Sequence, residues 1–176
     1  MTDAIVLQVL VGPREATRSE AQLSIECTLD GVMDDRHYGR TKAAGVRERY
    51  VSKETEILNL RKVSLVSTEE LSQIAQKMGV PEVTGEDLGA NIVLQGIENL
   101  TEVPAGTLMR FSEQVLLFVT GENTPCVFPG KNIQKRYPDI PNLEREFPRA
   151  AVNIRGLVAI VVDPGAIQEN DVVKII

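Results

Sequence analysis

Short apolar runs closed by turn residues recur along this chain, and that rhythm limits the fold more than any other feature. Ala4 to Val11 ends at Gly12-Pro13, and Leu23-Ser24-Ile25-Glu26-Cys27-Thr28-Leu29 alternates with period two before Asp30-Gly31. Alternation of this kind marks a strand with one buried face, so Leu23, Ile25, Cys27 and Leu29 are expected to share the apolar side, with Cys27 in the core. Lys62 to Val66, Asn91 to Leu94, Thr107 to Phe111, Val115 to Val119, Leu157 to Val162 and Val172 to Ile176 also read as strands. The breaks after Leu94 are Gly96, Pro104-Ala105-Gly106, Asp163-Pro164-Gly165 and Glu169-Asn170-Asp171. One helix is firm: Ser67 and Glu70 have capping-box spacing, Leu71, Ile74, Ala75 and Met78 have helical spacing, and Gly79 before Val80-Pro81 ends it. From Lys131 to Arg149, Pro138, Pro141 and Pro148 break any long helix, leaving a turn or two over Asn142 to Phe147. Seven or eight strands with one helix predict a mainly β fold, a barrel with a few peripheral helices, as a single domain over residues 1–176.

The composition excludes several functions. A net charge of -6 and few aromatic residues argue against nucleic acid and against an anionic membrane surface. No apolar run approaches the roughly 20 residues of a membrane span, and no export signal is visible, so a cytoplasmic protein is expected. Two cysteines make no disulfide framework and should stay reduced. With one histidine and two cysteines, the chain falls short of a four-ligand structural zinc site. It also lacks the phosphate-binding Gly-rich motifs.

Three stretches carry candidate chemistry. In Thr120-Gly121-Glu122-Asn123-Thr124-Pro125-Cys126 the thiol follows a proline in a loop after an apolar run, with Pro129-Gly130 marking a further turn. Cys126 is either presented for reaction or a small core residue, and Lys131, Lys135 and Arg136 would favour its thiolate if they fold beside it. The second stretch runs from Asp34 to Arg49. It gathers Arg36, His37, Arg40, Lys42, Arg47 and Arg49 without strand or helix periodicity. It reads either as a solvated surface loop or as a cradle for an anion such as phosphate, with His37 as acid or base. In the third, Thr84 to Ile92, Gly85 and Gly89 bracket Glu86 and Asp87, which are either solvated or acid–base groups, and Asn91 either orients a ligand or caps the turn. A Cys126–His37 hydrolase matches no recognisable signature.

Taken in order, these segments resemble the MOSC domain, named after the C-terminal part of molybdenum-cofactor sulfurases. The features are Asp35-Arg36-His37-Tyr38-Gly39, Val63-Ser64-Leu65 entering the capped helix, Gly85-Glu86-Asp87-Leu88-Gly89 before Asn91-Ile92, Gly96, Pro125-Cys126, Arg155-Gly156 and Asn170-Asp171-Val172-Val173. The similarity spans roughly residues 4 to 176 and implies a stand-alone bacterial-type member with a pyruvate-kinase-barrel-like β-barrel. It also implies a role with the molybdenum cofactor (molybdopterin), which purification need not retain. On this resemblance Cys126 is the molybdenum ligand or the carrier of a persulfide; His37, from its own chemistry as acid or base, is the second catalytic candidate. Arg36, Arg40, Asn91, Thr124 and Asp87 are the cofactor-binding candidates. A thiolate suits molybdenum, and the cofactor's dithiolene supplies further ligands. The chain departs from the family pattern at Ala90, where an acidic residue is usual, and at Asp34, where glycine is common. It is expected to be a bare MOSC domain, without the additional domains of the amidoxime-reducing relatives. Two roles follow: a sulfur or cofactor carrier serving molybdenum-cofactor enzymes or a cysteine desulfurase, or an oxidoreductase reducing N-hydroxylated small molecules with a separate redox partner.

Overall fold

The computed structural model describes residues 4–112 and 114–176. Its strands are β1 (Ala4–Val11), β2 (Glu20–Gln22), β3 (Ser24–Thr28), β4 (Gly31–Val32), β5 (Thr41–Ala43), β6 (Glu56–Leu58), β7 (Val63–Ser67), β8 (Ile92–Gln95), β9 (Leu108–Phe111), β10 (Val115–Glu122), β11 (Leu157–Asp163), β12 (Gly165–Gln168) and β13 (Val172–Ile175). The helices are α1 (Thr68–Met78), α2 (Gly85–Leu88), α3 (Val127–Arg136) and α4 (Leu143–Ala150), with a 3-10 turn at Leu100–Glu102. The order β13, β9, β10, β11, β7, β8, β1 closes on itself where Ala4 pairs with Val173 and Ile5 with Val172. This is a mainly β fold, a closed barrel in which only the β7–β8 pairing is parallel. The parallel pair needs a crossover, which α1 and α2 occupy.

Two apolar layers explain the burial. Val6, Val9, Leu65, Ile92, Leu94, Met109, Phe111, Leu117 and Leu157 fill the barrel. Leu10, Val66 and Val93, on the opposite faces of β1, β7 and β8, pack with Ile74, Ile133, Leu143 and Phe147 of the helices. Strand β7 is therefore buried along its whole length, as expected for a strand covered on both sides.

The β3 alternation holds only as far as its partner reaches. Ile25 and Cys27 are buried, whereas Leu23 is 96% exposed and Leu29 is 59% exposed. Strand β12 pairs with Ser24 to Cys27 and no further, so the alternation outruns the sheet that would have covered it. Burial, helped by Glu26, pushes the Cys27 thiol up to about 12.

The Pro-Gly turn expected at 129–130 is instead the first turn of α3, a correction with a simple cause. Pro129 occupies the third helical position, where a missing N–H leaves no bond unmade. Gly130 lets α4 approach: a Cβ there would lie 2.6 Å from the Glu144 carbonyl oxygen. Alanine is better in a helix by ~1 kcal/mol, but here it meets backbone that cannot rotate away. Gly130→Ala is expected to destabilise by a net of about 1–3 kcal/mol, read as a lower urea midpoint. A midpoint at or above wild type would show that α3 and α4 do not depend on this contact.

Helix α1 begins at Ser67, whose hydroxyl accepts the Glu70 N–H at 3.3 Å. The Glu70 carboxylate turns to another segment, accepting the Thr101 N–H at 2.7 Å and its hydroxyl at 2.8 Å. The Thr101 hydroxyl in turn accepts the N–H of Gly156 at 2.8 Å.

Candidate functional site

Asp35 is the node from which the site is built. It is buried, and its Oδ2 accepts the Gly12 N–H and the Asn91 amide, each at 2.7 Å, while Oδ1 accepts the His37 N–H at 2.8 Å. Asn91 accepts the Ser64 N–H at 3.0 Å and also donates to the Leu10 carbonyl at 3.3 Å. One carboxylate and one amide thus tie β1, β7 and the head of β8 to the loop carrying Arg36 and His37. Arg36 donates to the Thr17 and Arg18 carbonyls at 2.7 and 2.8 Å and holds the β1–β2 connection in place.

The opposite wall follows β10. Asn123 accepts from the Arg61 guanidinium at 2.6 Å and donates to the Ser64 hydroxyl at 3.2 Å, and the Thr124 carbonyl accepts from Arg47 at 3.1 Å. Cys126 then caps α3 in an extended conformation, half-buried, with its side chain making no capping bond.

Between these walls lies a cavity of about 390 Å³ lined by Cys126, His37, Ser64, Asn123, Phe128 and the arginines Arg14, Arg36, Arg47, Arg61 and Arg155. Among the described residues no carboxylate lines it. Arg155 is only 6% exposed; its Nη2 donates to the Leu88 carbonyl at 2.8 Å, and its Nη1 has no acceptor among the described residues. A buried donor without a partner is unfavourable unless something else satisfies it. Burial pushes the Arg155 guanidinium down to about 10, with a Cys126 thiolate opposing and Arg61 and Arg47 reinforcing the fall. Arg61 is lowered by burial and by Arg47, against Glu48 and Cys126.

His37 keeps an exposed face, yet the protein around it lowers its imidazole below the ordinary 6.5; Asp35 opposes the shift, and Arg36, Arg61 and Lys42 add to it. The folded protein therefore binds fewer protons here than the unfolded chain. Stability is full above about pH 6.5 and falls as pH drops through that value toward the folded pKa. The melting temperature of wild type is expected to fall more steeply below about pH 6.5 than that of His37→Gln in a scanning-fluorimetry series. Parallel slopes would remove His37 from the pH response.

The sequence candidates fall into two groups. Cys126, His37 and Arg36 line one cavity. Asn91 is buried and spent on the barrel, and Arg40 does not line that cavity. Thr124 lines the adjoining groove. Asp87 caps α2 through Thr84 and pairs with Arg136 at 2.8 Å and Arg18 at 3.4 Å, beside a different cavity. The cations expected from α3 do not line the cavity either: Lys131 pairs with Glu144 and lies 5.6 Å from the Phe128 ring centroid, and Arg136 serves Asp87 and Glu82. Arg14, Arg61, Arg155 and Asn123 take their place. They come from segments far apart in sequence, and only Arg155-Gly156 and the turn before Cys126 gave a signal.

Among the described residues no group of three or more His, Cys, Asp or Glu side chains could hold a metal ion. A metal placed here would have to bring most of its own ligands. The donor set fits a group of that kind: one soft thiol, and guanidinium N–H groups for an anionic tail. No helix among the described residues is long and apolar enough to cross a membrane.

Comparison with known proteins places these features in context. The MOSC domain model matches residues 35–174. YuaD of Bacillus subtilis strain 168, whose name refers provisionally to metal-sulfur cluster biosynthesis, is 46% identical over 145 residues, 82% of this chain and 76% of that protein. The crystal structure of Bacillus subtilis YuaD superposes with a TM-score of 0.96 at 39% identity, covering 98% of this chain and 95% of that one. YiiM from Geobacillus stearothermophilus, at 14% identity and a TM-score of 0.68 over 98% of this chain and 75% of that one, shares the fold.

Proposed function

Because the chain belongs to the MOSC domain family, we propose that it serves the molybdenum cofactor and its sulfur chemistry, with Cys126 as the carrier of sulfur or of the cofactor. The observation that carries this reading is the half-buried Cys126 thiol in a cavity of arginines, one of them buried with an unpartnered N–H. When bound, the cofactor supplies a redox-active metal and a phosphate-bearing tail. Cys126 would hold the metal, and Arg155, Arg61, Arg47 and Arg36 line the cavity in which the tail would sit. Asn91 supports the cavity through Asp35 and Thr124 lines the adjoining groove, whereas Arg40 and Asp87 stand outside both.

As a sulfur carrier, the Cys126 thiolate attacks the outer sulfur of a donor persulfide on a cysteine desulfurase. The donor S–S bond breaks, the donor thiolate leaves, and Cys126 keeps the sulfur as a persulfide whose negative charge the arginines offset. We take the chain to act as one cytoplasmic domain meeting a desulfurase or a cofactor enzyme. Incubation with a desulfurase and cysteine should add the mass of one sulfur atom to the peptide containing Cys126. An unmodified peptide under conditions that load another acceptor would refute the sulfur-carrier role.

His37 favours a second reading. An imidazole kept below its ordinary value, in the same cavity as Cys126, suits proton exchange during molybdenum-dependent reduction of an N-hydroxylated small molecule with a separate electron donor. Turnover of such a substrate with an artificial reductant would decide for it.

A further inference from the structure

The Cys126 cavity shares a wall with a groove of about 260 Å³, since Arg47, Arg61 and Val158 line both. Beyond that waist stand Tyr50, Leu58 and Leu60, which are 75%, 57% and 43% exposed. Three large apolar side chains around one groove form a surface that a ligand can cover. The Leu60 backbone is tied to the barrel, because its carbonyl accepts from the Thr120 hydroxyl at 2.5 Å.

The chemistry changes across the waist. On the Cys126 side there are guanidinium groups and, among the described residues, no carboxylate. On the groove side are Glu48 and Glu122, and Lys42 is already paired with Glu48 at 2.6 Å. The groove's own cations, Lys42, Arg47 and Arg61, stand among these carboxylates, whereas the Cys126 side sets no carboxylate of the described residues against its guanidinium groups and holds the Arg155 Nη1, which has no acceptor among them. The groove, with its charges of both signs, favours an anion less than the Cys126 side does and offers apolar area. Arg47 and Arg61 are tethered to the 123–124 segment by one N–H each, and a guanidinium carries five.

We propose that this cleft takes a ligand of two parts: an oxyanion seated against Arg155 and Arg61 beside Cys126, joined to a flat apolar ring lying on Tyr50, Leu58 and Leu60. The inference rests on the cationic cavity being an anion site, as under the proposed function, and it adds the class of molecule and the direction in which that molecule lies. Inorganic phosphate and phenyl phosphate separate the two parts by titration calorimetry. Wild type should bind phenyl phosphate about tenfold more tightly than phosphate, the gain from covering part of a ring. Leu60→Asn, a neutral polar change at an exposed position, should erase the preference and leave phosphate affinity within about twofold, and Tyr50→Ala should reduce the preference. Equal affinities in wild type, or a preference that survives both variants, would overturn the two-part ligand while leaving the anion site in place. If neither probe binds, the anion site and this inference fail together.

Discussion

Cys126→Ser protein purified from a cofactor-producing host is expected to contain neither molybdenum nor pterin, whereas wild type carries both. Cys126 is the thiol that lines the cavity, and a serine hydroxyl is a poor ligand for a metal that favours soft donors. Cys27 cannot substitute, because it lies in the barrel with its thiol pushed up to about 12. The loss would not come from unfolding. Position 126 is the N-cap of α3, where the cysteine side chain makes no capping bond and serine is among the preferred residues. The variant should melt at or slightly above wild type, by up to ~1 kcal/mol of added helix stability. Molybdenum and pterin retained in the variant at the wild-type level would end the assignment of Cys126 as ligand.

Asp35→Ala should lower the stability of the protein by about 3–5 kcal/mol, measured by urea unfolding. The substitution strips acceptors from three donors at once: the Gly12 N–H, the His37 N–H and the Asn91 amide. Two of these bonds are fully buried and join elements that form the barrel. The same change frees the loop bearing Arg36 and His37, so phosphate affinity should fall along with stability. A loss below about 1 kcal/mol would mean that the bonds to Asp35 are replaced by water without consequence.

The barrel was legible because burial on one or both faces forces apolar spacing, and turn residues mark where each strand stops. Helix α3 was hidden for a local reason: Pro129-Gly130 is turn chemistry unless proline falls in the first helical turn and glycine meets a neighbouring backbone. The β5–β6 hairpin was hidden because its strands are three residues long and mostly exposed, leaving no periodicity to read. Within the site, Cys126 and the Arg36-His37 pair could be found, since each sits in an irregular segment of unusual composition. Arg61 gave no signal, and Arg155 gave only its place in the family pattern. Each is a single cation next to an apolar strand, and what distinguishes Arg155 is burial without a full set of partners, which belongs to three dimensions. Asn91 and Asp87 looked like ligand groups for a related reason: a side chain with spare hydrogen-bonding capacity in sequence has spent it on the scaffold once folded.

The pairing of Ala4 with Val173 has a consequence for synthesis. The first strand of the barrel is made before the rest of the ring, with an edge at Ala4 and Ile5 that β13 covers, and β13 is made after every other strand in the ring. Until then the nascent chain holds an open, twisted sheet with two exposed margins, a form prone to pairing with other chains. Closure joins residues far apart in sequence, which favours slow, all-or-none completion over piecewise assembly. The interval between translating β1 and translating β13 is therefore when pairing with other chains is most favoured.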